Sequence, residues 1–345
     1  MLRHLICLSA GVALLASSSV ADISTAQAQE PKQIRWATSA VGSSGHRALV
    51  ALATLLNREM PQYEITVLPT PGAAATVRGY SAGQFDGYYG ADVAFHEIAN
   101  REGRYKDFDP AAGKPLLQSF WSFTLEMGIG IAAEDAGELK GWRDLGGKTV
   151  FTGPAPWDTR ATLERAMGVL QVGHEYVELD TGLTGSSLQE NAIEAFSVYT
   201  TGESSPAPWV SEAMMTTEVA VLNPSEEEIA DLSAAGIEVV RVDAKAFGSD
   251  IGVEEAVLVP LFYGFHLGLD VPEDDVFRML TIIEGHTQEL TAADAGFRQL
   301  AAGMVELQRR GIAASPESIA IHPGLARFLR ERDAWDEVWD ARVAG

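Results

Sequence analysis

The residues best suited to chemistry lie in a Gly/Ser-rich turn at residues 38–46, with the sequence TSAVGSSGH. A predicted strand ends at this turn and a predicted helix begins, so free backbone amides and the hydroxyls of Ser43 and Ser44 converge on one spot. The unpaired amides of a helix N-terminus, assisted by the helix dipole, favour a carboxylate or a phosphate. The turn therefore predicts an anion site, although a turn that only caps the helix has the same pattern. The predicted binding residues of this turn are Gly42, Ser43, Ser44, Gly45 and His46.

Two further segments, at 69–72 and 153–159, repeat this pattern of Gly, Pro and hydroxyl residues before a helix. Three such helix N-termini, two early in the chain and one later, are what a cleft between α/β lobes offers a small anion. Aromatic residues nearby supply hydroxyls and walls, although core packing is the usual role of a single aromatic residue. The residues predicted to bind from these places are Thr70, Pro71, Gly72, Tyr89, Gly153, Trp157, Thr159 and Tyr199, with Tyr88 and Trp209 as further candidates.

Arginine would suit a carboxylate ligand, because its planar guanidinium donates two parallel hydrogen bonds. Arg47, Arg78 and Arg160 lie on predicted helices near these turns. Each is equally consistent with a solvated helix residue, so the sequence leaves open which of them, if any, binds the anion.

Catalytic and metal motifs are incomplete. A segment starting at His96 begins like the zinc motif H-E-x-x-H, but Asn100 stands where the second histidine is required. The GKT sequence at 147–149 ends like a phosphate-binding loop but lacks the leading glycine. The sequence therefore predicts no catalytic residues, no metal and no cofactor. One alternative is a secreted hydrolase with Ser44 as nucleophile and His46 as base, for which no orienting carboxylate is identified.

Composition and charge restrict the class of protein. The 345 residues include 48 acidic and 25 basic ones, giving a formal net charge of -23, and 46% are hydrophobic. This is a globular composition with room for about two domains. Nucleic-acid binders carry clustered Lys and Arg, so nucleic acid is excluded as a partner. The single cysteine, Cys7, lies in the leader, which excludes disulfides and zinc-cysteine sites from the remaining chain.

Residues 1–28 have the pattern of a secretory signal peptide. Arg3 and His4 provide a basic start, an apolar run covers 5–16, and an A-x-A cleavage sequence ends at Ala28. The apolar run is shorter than the ~20 residues of a membrane-spanning helix. We therefore predict an exported, periplasmic protein that is cleaved near Ala28. An N-terminal membrane anchor is the alternative.

Apolar runs alternate with helical patterns, which predicts an α/β fold with a largely parallel sheet. Predicted strands cover 34–37, 63–68, 85–89, 116–123, 127–132, 148–152, 195–199 and 219–222, with a short strand near Tyr176. Predicted helices cover 46–59, 73–82, 92–100, 158–170 and 225–234, and a helical C-terminal region contains 273–290, 301–310 and 323–332. Asp92 is expected to cap its helix, and Ser225 with Glu228 has capping-box spacing.

The order of these elements divides the mature chain into two lobes. Residues 29–125 are predicted to form the first lobe and 126–242 the second lobe. Residues 243–345 are predicted to return to the first lobe and to end in helices. Extended segments around 125–126 are where the chain is expected to pass from one lobe to the other.

The chain resembles the TAXI family of solute-binding proteins, which serve tripartite ATP-independent periplasmic (TRAP) transporters. The resemblance covers nearly all of the mature chain, and its motifs are specific through their order rather than singly. They are the strand and turn at 34–45, Thr70-Pro71-Gly72, GQFD at 83–86 leading to Asp92, DLGGKTV at 144–150 with Gly153-Pro154, Gly202 with Pro206, and His322-Pro323-Gly324 with Glu331 and Trp335.

The resemblance implies a two-lobed, periplasmic-binding-protein-like fold, type II-like, whose cleft closes on a small organic anion such as a carboxylate or amino acid. It also implies delivery of the anion to membrane-embedded TRAP permease subunits, and we expect a monomer. Departures from the family pattern at 44–46, at Ala73 and at 156–157 leave the ligand open. The resemblance makes His322 a helix start rather than a ligand contact. A subunit of a membrane sensor needs the same cleft and is the alternative.

Overall fold

The structure, a computed structural model, describes residues 30–110 and 114–345. The predicted signal peptide at 1–28 therefore lies outside the described residues. Residues Pro31–Gly345 pack as one compact unit. Within the described chain, no helix is both long enough and apolar enough to cross a membrane.

The strands of the described chain are 2 to 13 residues long, and the two longest lie side by side in the middle of the main sheet. They are β1 (Lys32–Thr38), β2 (Tyr63–Pro69), β3 (Gly87–Ala91), β4 (Leu117–Gln118), β5 (Trp121–Ala132), β6 (Thr149–Phe151), β7 (Glu175–Tyr176), β8 (Ala195–Thr201), β9 (Ser205–Pro206), β10 (Val219–Leu222), β11 (Val240–Asp243), β12 (Glu255–Leu267) and β13 (Ala320–Ile321).

The helices follow the strands in βα order at first and predominate near the C-terminus. They are α1 (Ser44–Glu59), α2 (Ala73–Ser81), α3 (Asp92–Asn100), α4 (Asp158–Val169), α5 (Thr184–Gln189), α6 (Pro208–Thr216), α7 (Glu226–Ala234), α8 (Glu273–Gly285), α9 (Thr287–Ala293), α10 (Arg298–Ala314) and α11 (Pro323–Arg330).

The main sheet has the strand order β2-β1-β3-β12-β5-β8-β6-β7. β1 pairs in parallel with β2 and β3, and β6 pairs in parallel with β7 and β8. The two long strands between these groups, β12 and β5, run antiparallel to each other and to their neighbours. We name β1–β3 with α1–α3 the first lobe, and β6–β8 with α4–α6 the second lobe. The predicted two-lobed α/β architecture is confirmed, and β5 and β12 are its crossing strands.

The prediction of a largely parallel sheet is wrong at the centre. β5 leaves the first lobe and β12 returns to it, so the two strands must run in opposite directions. β10 also pairs antiparallel with β5, and β11 with β12. β12 is not among the predicted strands, and it contains Pro260 and Gly264, residues that usually interrupt a strand.

Local signals place the helix starts correctly in two informative cases. The capping box of α7 is present, since Ser225 Oγ accepts from the Glu228 N–H and the Glu228 carboxylate accepts from the Ser225 N–H. His322 caps α11, because its Nδ1 accepts from the Gly324 N–H at 3.0 Å. His322 is therefore a helix start, as the resemblance implied.

Asp92 does not cap its helix, contrary to the prediction. Ala91 holds the N-cap position of α3, and Asp92 is the first helical residue. Its carboxylate accepts from the N–H of Phe262, on β12, at 2.9 Å. Asp92 thus ties α3 to a crossing strand, and burial raises its pKa to about 7.

Candidate functional site

A small cavity of about 30 Å³ lies where the two lobes meet the crossing strands. The first lobe contributes the turn after β1, the start of α1 and a residue of β3. The second lobe contributes the start of α4 and a residue of β8, while β5 and β12 form a further wall. A cavity of this size has room for about one or two water molecules. Its lining residues are Ser39, Ser43, Ser44, Gly45, Tyr89, Leu125, Trp157, Asp158, Thr159, Tyr199 and Tyr263.

The sequence predicts that residues at three helix starts and at two strand ends meet at one site. The structure brings many of them together. Those that line the cavity are Ser43, Ser44, Gly45, Tyr89, Trp157, Thr159 and Tyr199. Those that lie outside it are Gly42, His46, Thr70, Pro71, Gly72 and Gly153. The cavity therefore combines the first and third predicted segments, and the second segment lies beside it.

Ser43 shows how the turn is built. Its Oγ accepts from the His46 N–H at 3.2 Å and so caps α1. The same hydroxyl lies 2.6 Å from Ser39 Oγ, which lies 3.2 Å from the hydroxyl of Tyr263 on β12. Ser43 therefore caps α1, and its hydroxyl also belongs to a network that reaches the crossing strand.

Ser44 makes a contact between the lobes. Its Oγ lies 2.8 Å from Thr201 Oγ1, at the end of β8, and both side chains are buried. Gly45 is needed beside it, because a Cβ at that position would lie 2.1 Å from the Tyr263 hydroxyl. This close approach places the first backbone amides of α1 directly against the cavity.

Three tyrosines supply hydroxyl groups to the cavity. The rings of Tyr89 and Tyr263 stack with centroids 4.9 Å apart, and the Tyr199 hydroxyl accepts from Trp209 Nε1 at 3.2 Å. Burial raises the pKa of Tyr199 to about 12 and holds the pKa values of Tyr89 and Tyr263 well above 10. All three phenols are therefore neutral at ordinary pH and able to donate hydrogen bonds. Trp209 itself packs on Phe151 and Phe196 in the core.

Asp158 is the charged residue that the sequence reasoning missed. It is the first residue of α4, its side chain is 3% exposed, and it lines the cavity. Arg104, from the short 3-10 helix Gly103–Tyr105 that follows α3, reaches it with Nη1 at 2.8 Å from Oδ1. Burial raises the pKa of Asp158, and the Arg104 guanidinium opposes that rise. An acidic first helical turn was readable in the sequence, but its arginine partner was not.

The remaining predicted residues have structural partners of their own. Thr70 Oγ1 donates to the Thr38 carbonyl at 2.9 Å, which fixes the turn before α2. Gly72 lies against the second lobe, since a Cβ there would meet the Pro156 carbonyl oxygen at 2.6 Å. Gly153 has a φ of +107°, which favours glycine, and its carbonyl accepts from the Tyr176 hydroxyl.

Gly42, Pro71 and His46 lie nearer the surface. Gly42 and Pro71 are exposed, and His46 is half-buried in a separate groove beside Arg47 and Asp294. Tyr88, a further candidate, is a core residue whose hydroxyl donates to the Leu117 carbonyl. These side chains therefore do not face the cavity.

The three candidate arginines are engaged away from the cavity. Arg47 lies 3.4 Å from the Asp294 carboxylate, and Arg78 lies over the Phe108 ring. Arg160 lies 3.9 Å above the Tyr176 ring. None of the three lines the cavity in the described part of the chain. An anion there would therefore be held by amides and hydroxyls.

The geometry gives no support to the hydrolase alternative. Ser44 Oγ has Thr201 as its partner, and the His46 ring lies in a different groove. His96, at the incomplete zinc motif, is bonded through Nε2 to the Ala314 carbonyl. Among residues 30–110 and 114–345, no cluster of three or more His, Cys, Asp and Glu side chains is arranged to hold a metal ion.

Comparison with known proteins adds a general similarity of fold. No protein-family model matches the sequence, and no curated protein matches it. The aliphatic sulphonate binding protein SsuA of Escherichia coli is similar over 87% of this chain and 83% of its own, with 17% identity and a TM-score of 0.45. The nitrate-binding protein NrtA of Synechocystis PCC 6803 gives 12% identity over 76% of this chain and 66% of its own, with a TM-score of 0.44.

A third solved structure, described as a periplasmic transporter, is similar over 81% of this chain and 95% of its own. Its identity is 11% and its TM-score 0.47. All three TM-scores lie below 0.5, so these similarities assign neither a ligand nor a partner to this chain.

Proposed function

We propose that this protein is the extracytoplasmic solute-binding protein of a TRAP transporter, of the TAXI type that its sequence resembles. It captures a small organic anion such as a carboxylate or an amino acid and delivers it to membrane-embedded permease subunits. The proposal includes a periplasmic location, a monomeric state and lobe boundaries near residues 125 and 242. The supporting observation is a single cavity lined by both lobes and by both crossing strands.

Part of the cavity lining suits one end of an anion, and the Asp158 carboxylate, which also lines the cavity, is paired with Arg104. The start of α1 at Ser44 and Gly45 presents unpaired amides and the positive end of a 16-residue helix. The neutral hydroxyls of Tyr89, Tyr199 and Tyr263 add further donors. A diffuse net charge of -23 does not prevent this, because local dipoles outweigh a distant field.

Lobe closure is the functional step in this proposal. A cavity of about 30 Å³ cannot contain a whole organic anion, so in this proposal the lobes separate to admit the solute and then close around it with more space between them than in this structure. The contacts of Ser44 with Thr201 and of Gly72 with Pro156 belong to the closed form.

The test is thermal unfolding of residues 29–345 with succinate, L-glutamate, pyruvate and ethanesulfonate. A compound at a hundred times its dissociation constant stabilises by about 2.7 kcal/mol, which raises Tm by several degrees. We expect one chemical group to raise Tm and to be recovered intact. Consumption of any compound would contradict a binding protein.

Variants of α1 then locate the site. Ser44→Ala is expected to reduce the shift in Tm, because it removes a hydroxyl from the cavity wall. Thr54→Ala is the matched control, since Thr54 is an exposed hydroxyl residue of α1 that bonds the Val50 carbonyl. Equal shifts in the two variants would show that the binding site lies elsewhere.

A further inference from the structure

A buried ion-pair cluster joins the two lobes beside the cavity. The Arg104 guanidinium contacts Asp158 at 2.8 Å and Glu97 at 2.6 Å. The three side chains are 14%, 3% and 13% exposed, respectively. Glu97 is on α3 and Arg104 follows it in the first lobe, whereas Asp158 begins α4 in the second lobe. The contact between Arg104 and Asp158 therefore crosses the cleft.

The same segment of the second lobe is held at another point. Arg104 Nη1 also lies 3.4 Å from the Pro156 carbonyl oxygen, two residues before Asp158. Gly72 of the first lobe packs on the same Pro156, as described above. The start of α4 is thus held by Arg104 on one side and by the turn before α2 on the other.

The charges explain why the contact of Arg104 with Asp158 depends on the other lobe, whereas its contact with Glu97 does not. Glu97 and Arg104 lie on the same lobe, so they stay together when the lobes separate. Asp158 has no such companion on its own lobe, because the nearest basic residue along α4, Arg160, faces Tyr176 and Glu164. When the cleft closes, Asp158 loses its water, and Arg104 is the cation that compensates it.

We propose that Arg104 is a positioning residue that stabilises the closed cleft by compensating Asp158, and thereby fixes the start of α4 in the cavity wall. This inference rests on the proposed function in one respect: the purpose of the contact between Arg104 and Asp158 is to retain the solute. The contact itself does not depend on the identity of the solute. A groove of about 620 Å³ between α3 and α4 runs past Arg104, so the cluster lies at the edge of the interlobe contact.

The closed state can be measured without any solute. The described residues contain no cysteine, since the single cysteine is Cys7. Spin labels on Val50→Cys in α1 and Met215→Cys in α6, which replace side chains 43% and 82% exposed, report the distance between lobes. Pulsed electron paramagnetic resonance then gives the populations of closed and open forms.

In this labelled background, Arg104→Ala is expected to reduce the ratio of closed to open protein by at least about tenfold. Arg104→Ala with Asp158→Asn is expected to recover most of the closed population, because position 158 then carries no charge that closure would leave uncompensated. Glu97 loses its partner in both variants, but it lies on the same lobe as Arg104, so that loss does not depend on closure. Arg101→Ala is the matched control, since Arg101 pairs with Asp109 at the surface of the same lobe. A simple packing role for Arg104 predicts no such recovery.

Two outcomes would overturn the inference. One is an identical distance distribution with and without the Arg104 side chain. The other is a double variant that is no more closed than Arg104→Ala. If Arg104→Ala does not fold, Arg104→Gln gives the comparison, because it removes the charge that compensates Asp158 and keeps much of the side chain. Arg104→Gln should also lower the closed population, and Asp158→Asn should restore it. Failure of all four compounds to raise Tm would count against the proposed function and leave the distance result standing.

Discussion

Glu126 should make the protein less stable as the pH rises through neutrality. It lies on β5, opposite Pro260 of β12 and Thr200 of β8, and its side chain is fully buried. Its carboxyl accepts from the hydroxyls of Thr124 and Thr200 and from the Glu203 N–H. Within residues 30–110 and 114–345, Glu126 forms no ion pair, and the charged group that influences it is Glu203. Burial raises its pKa from 4.5 to about 8 despite these donors.

The sign and the magnitude follow from proton linkage. Between pH 4.5 and about 8, the folded protein holds a proton on Glu126 that the unfolded chain releases. The free energy of unfolding therefore falls as the pH rises across this window, and the contribution of Glu126 is constant above it. At about 1.4 kcal/mol per pH unit, the loss is about 5 kcal/mol over the whole window.

Glu126→Gln isolates this effect, because glutamine keeps a carbonyl acceptor and cannot ionise. Urea unfolding across the window should show a smaller decline in unfolding free energy for the variant than for the parent protein. Glu190→Gln, at an exposed position after α5, is the control and should follow the parent. Parallel curves for the parent and Glu126→Gln would refute the argument, because they would mean that Glu126 titrates alike in both states.

Two other substitutions test closure and acid stability. Gly72→Ala should weaken solute binding at least about tenfold, because its Cβ would meet the Pro156 carbonyl oxygen at 2.6 Å. Gly173→Ala is the control, since Gly173 has open space around it, and this variant should bind as the parent does in the Tm assay. His266 is buried and neutral with its pKa lowered from 6.5 to about 3, so stability should fall as pH drops below 6.5. His266→Asn should flatten that decline in acid unfolding curves, and an unchanged slope would contradict the assignment.

Local signals in the sequence predicted the elements that depend on local chemistry. The strand, turn and helix at the start of the chain are present as β1 and α1, and the capping box of α7 has the expected bonds. Each of these elements depends on residues within a few positions of one another, so the composition and spacing of the local sequence are enough to predict it. The helical region after Pro272 also appears, although it is divided into more helices than predicted.

The part of the fold that the sequence did not predict is the part that depends on long-range strand pairing. β12 contains Pro260 and Gly264, and its ladder is irregular between Tyr263 and Gly264. Phe262 donates its N–H to the Asp92 side chain, far away in sequence. A strand whose partners are β3 and β5 is stabilised by pairing that no local pattern reports. Missing β12 also led to the wrong strand direction at the centre of the sheet.

The same limit explains the candidate site. Residues at helix starts, such as Ser44 and Thr159, are predictable as cavity-lining residues because Gly, Pro and hydroxyl residues in the sequence mark the turns before the helices. Tyr263 was missed with its strand. Arg104 gave no signal at all, because its importance depends on Asp158 in the other lobe.

In the proposed closure of the cleft, two separable kinds of contact meet at one segment. Gly72 permits the first lobe to approach Pro156, which is a matter of shape, and Arg104 compensates Asp158, which is a matter of charge. Substitution of either residue should lower the population of the closed form, but only the loss of Arg104 should be reversed by Asp158→Asn. If Asp158→Asn also restored closure in the Gly72→Ala variant, the two contacts would not be independent. Both losses would then disturb the start of α4 in the same way.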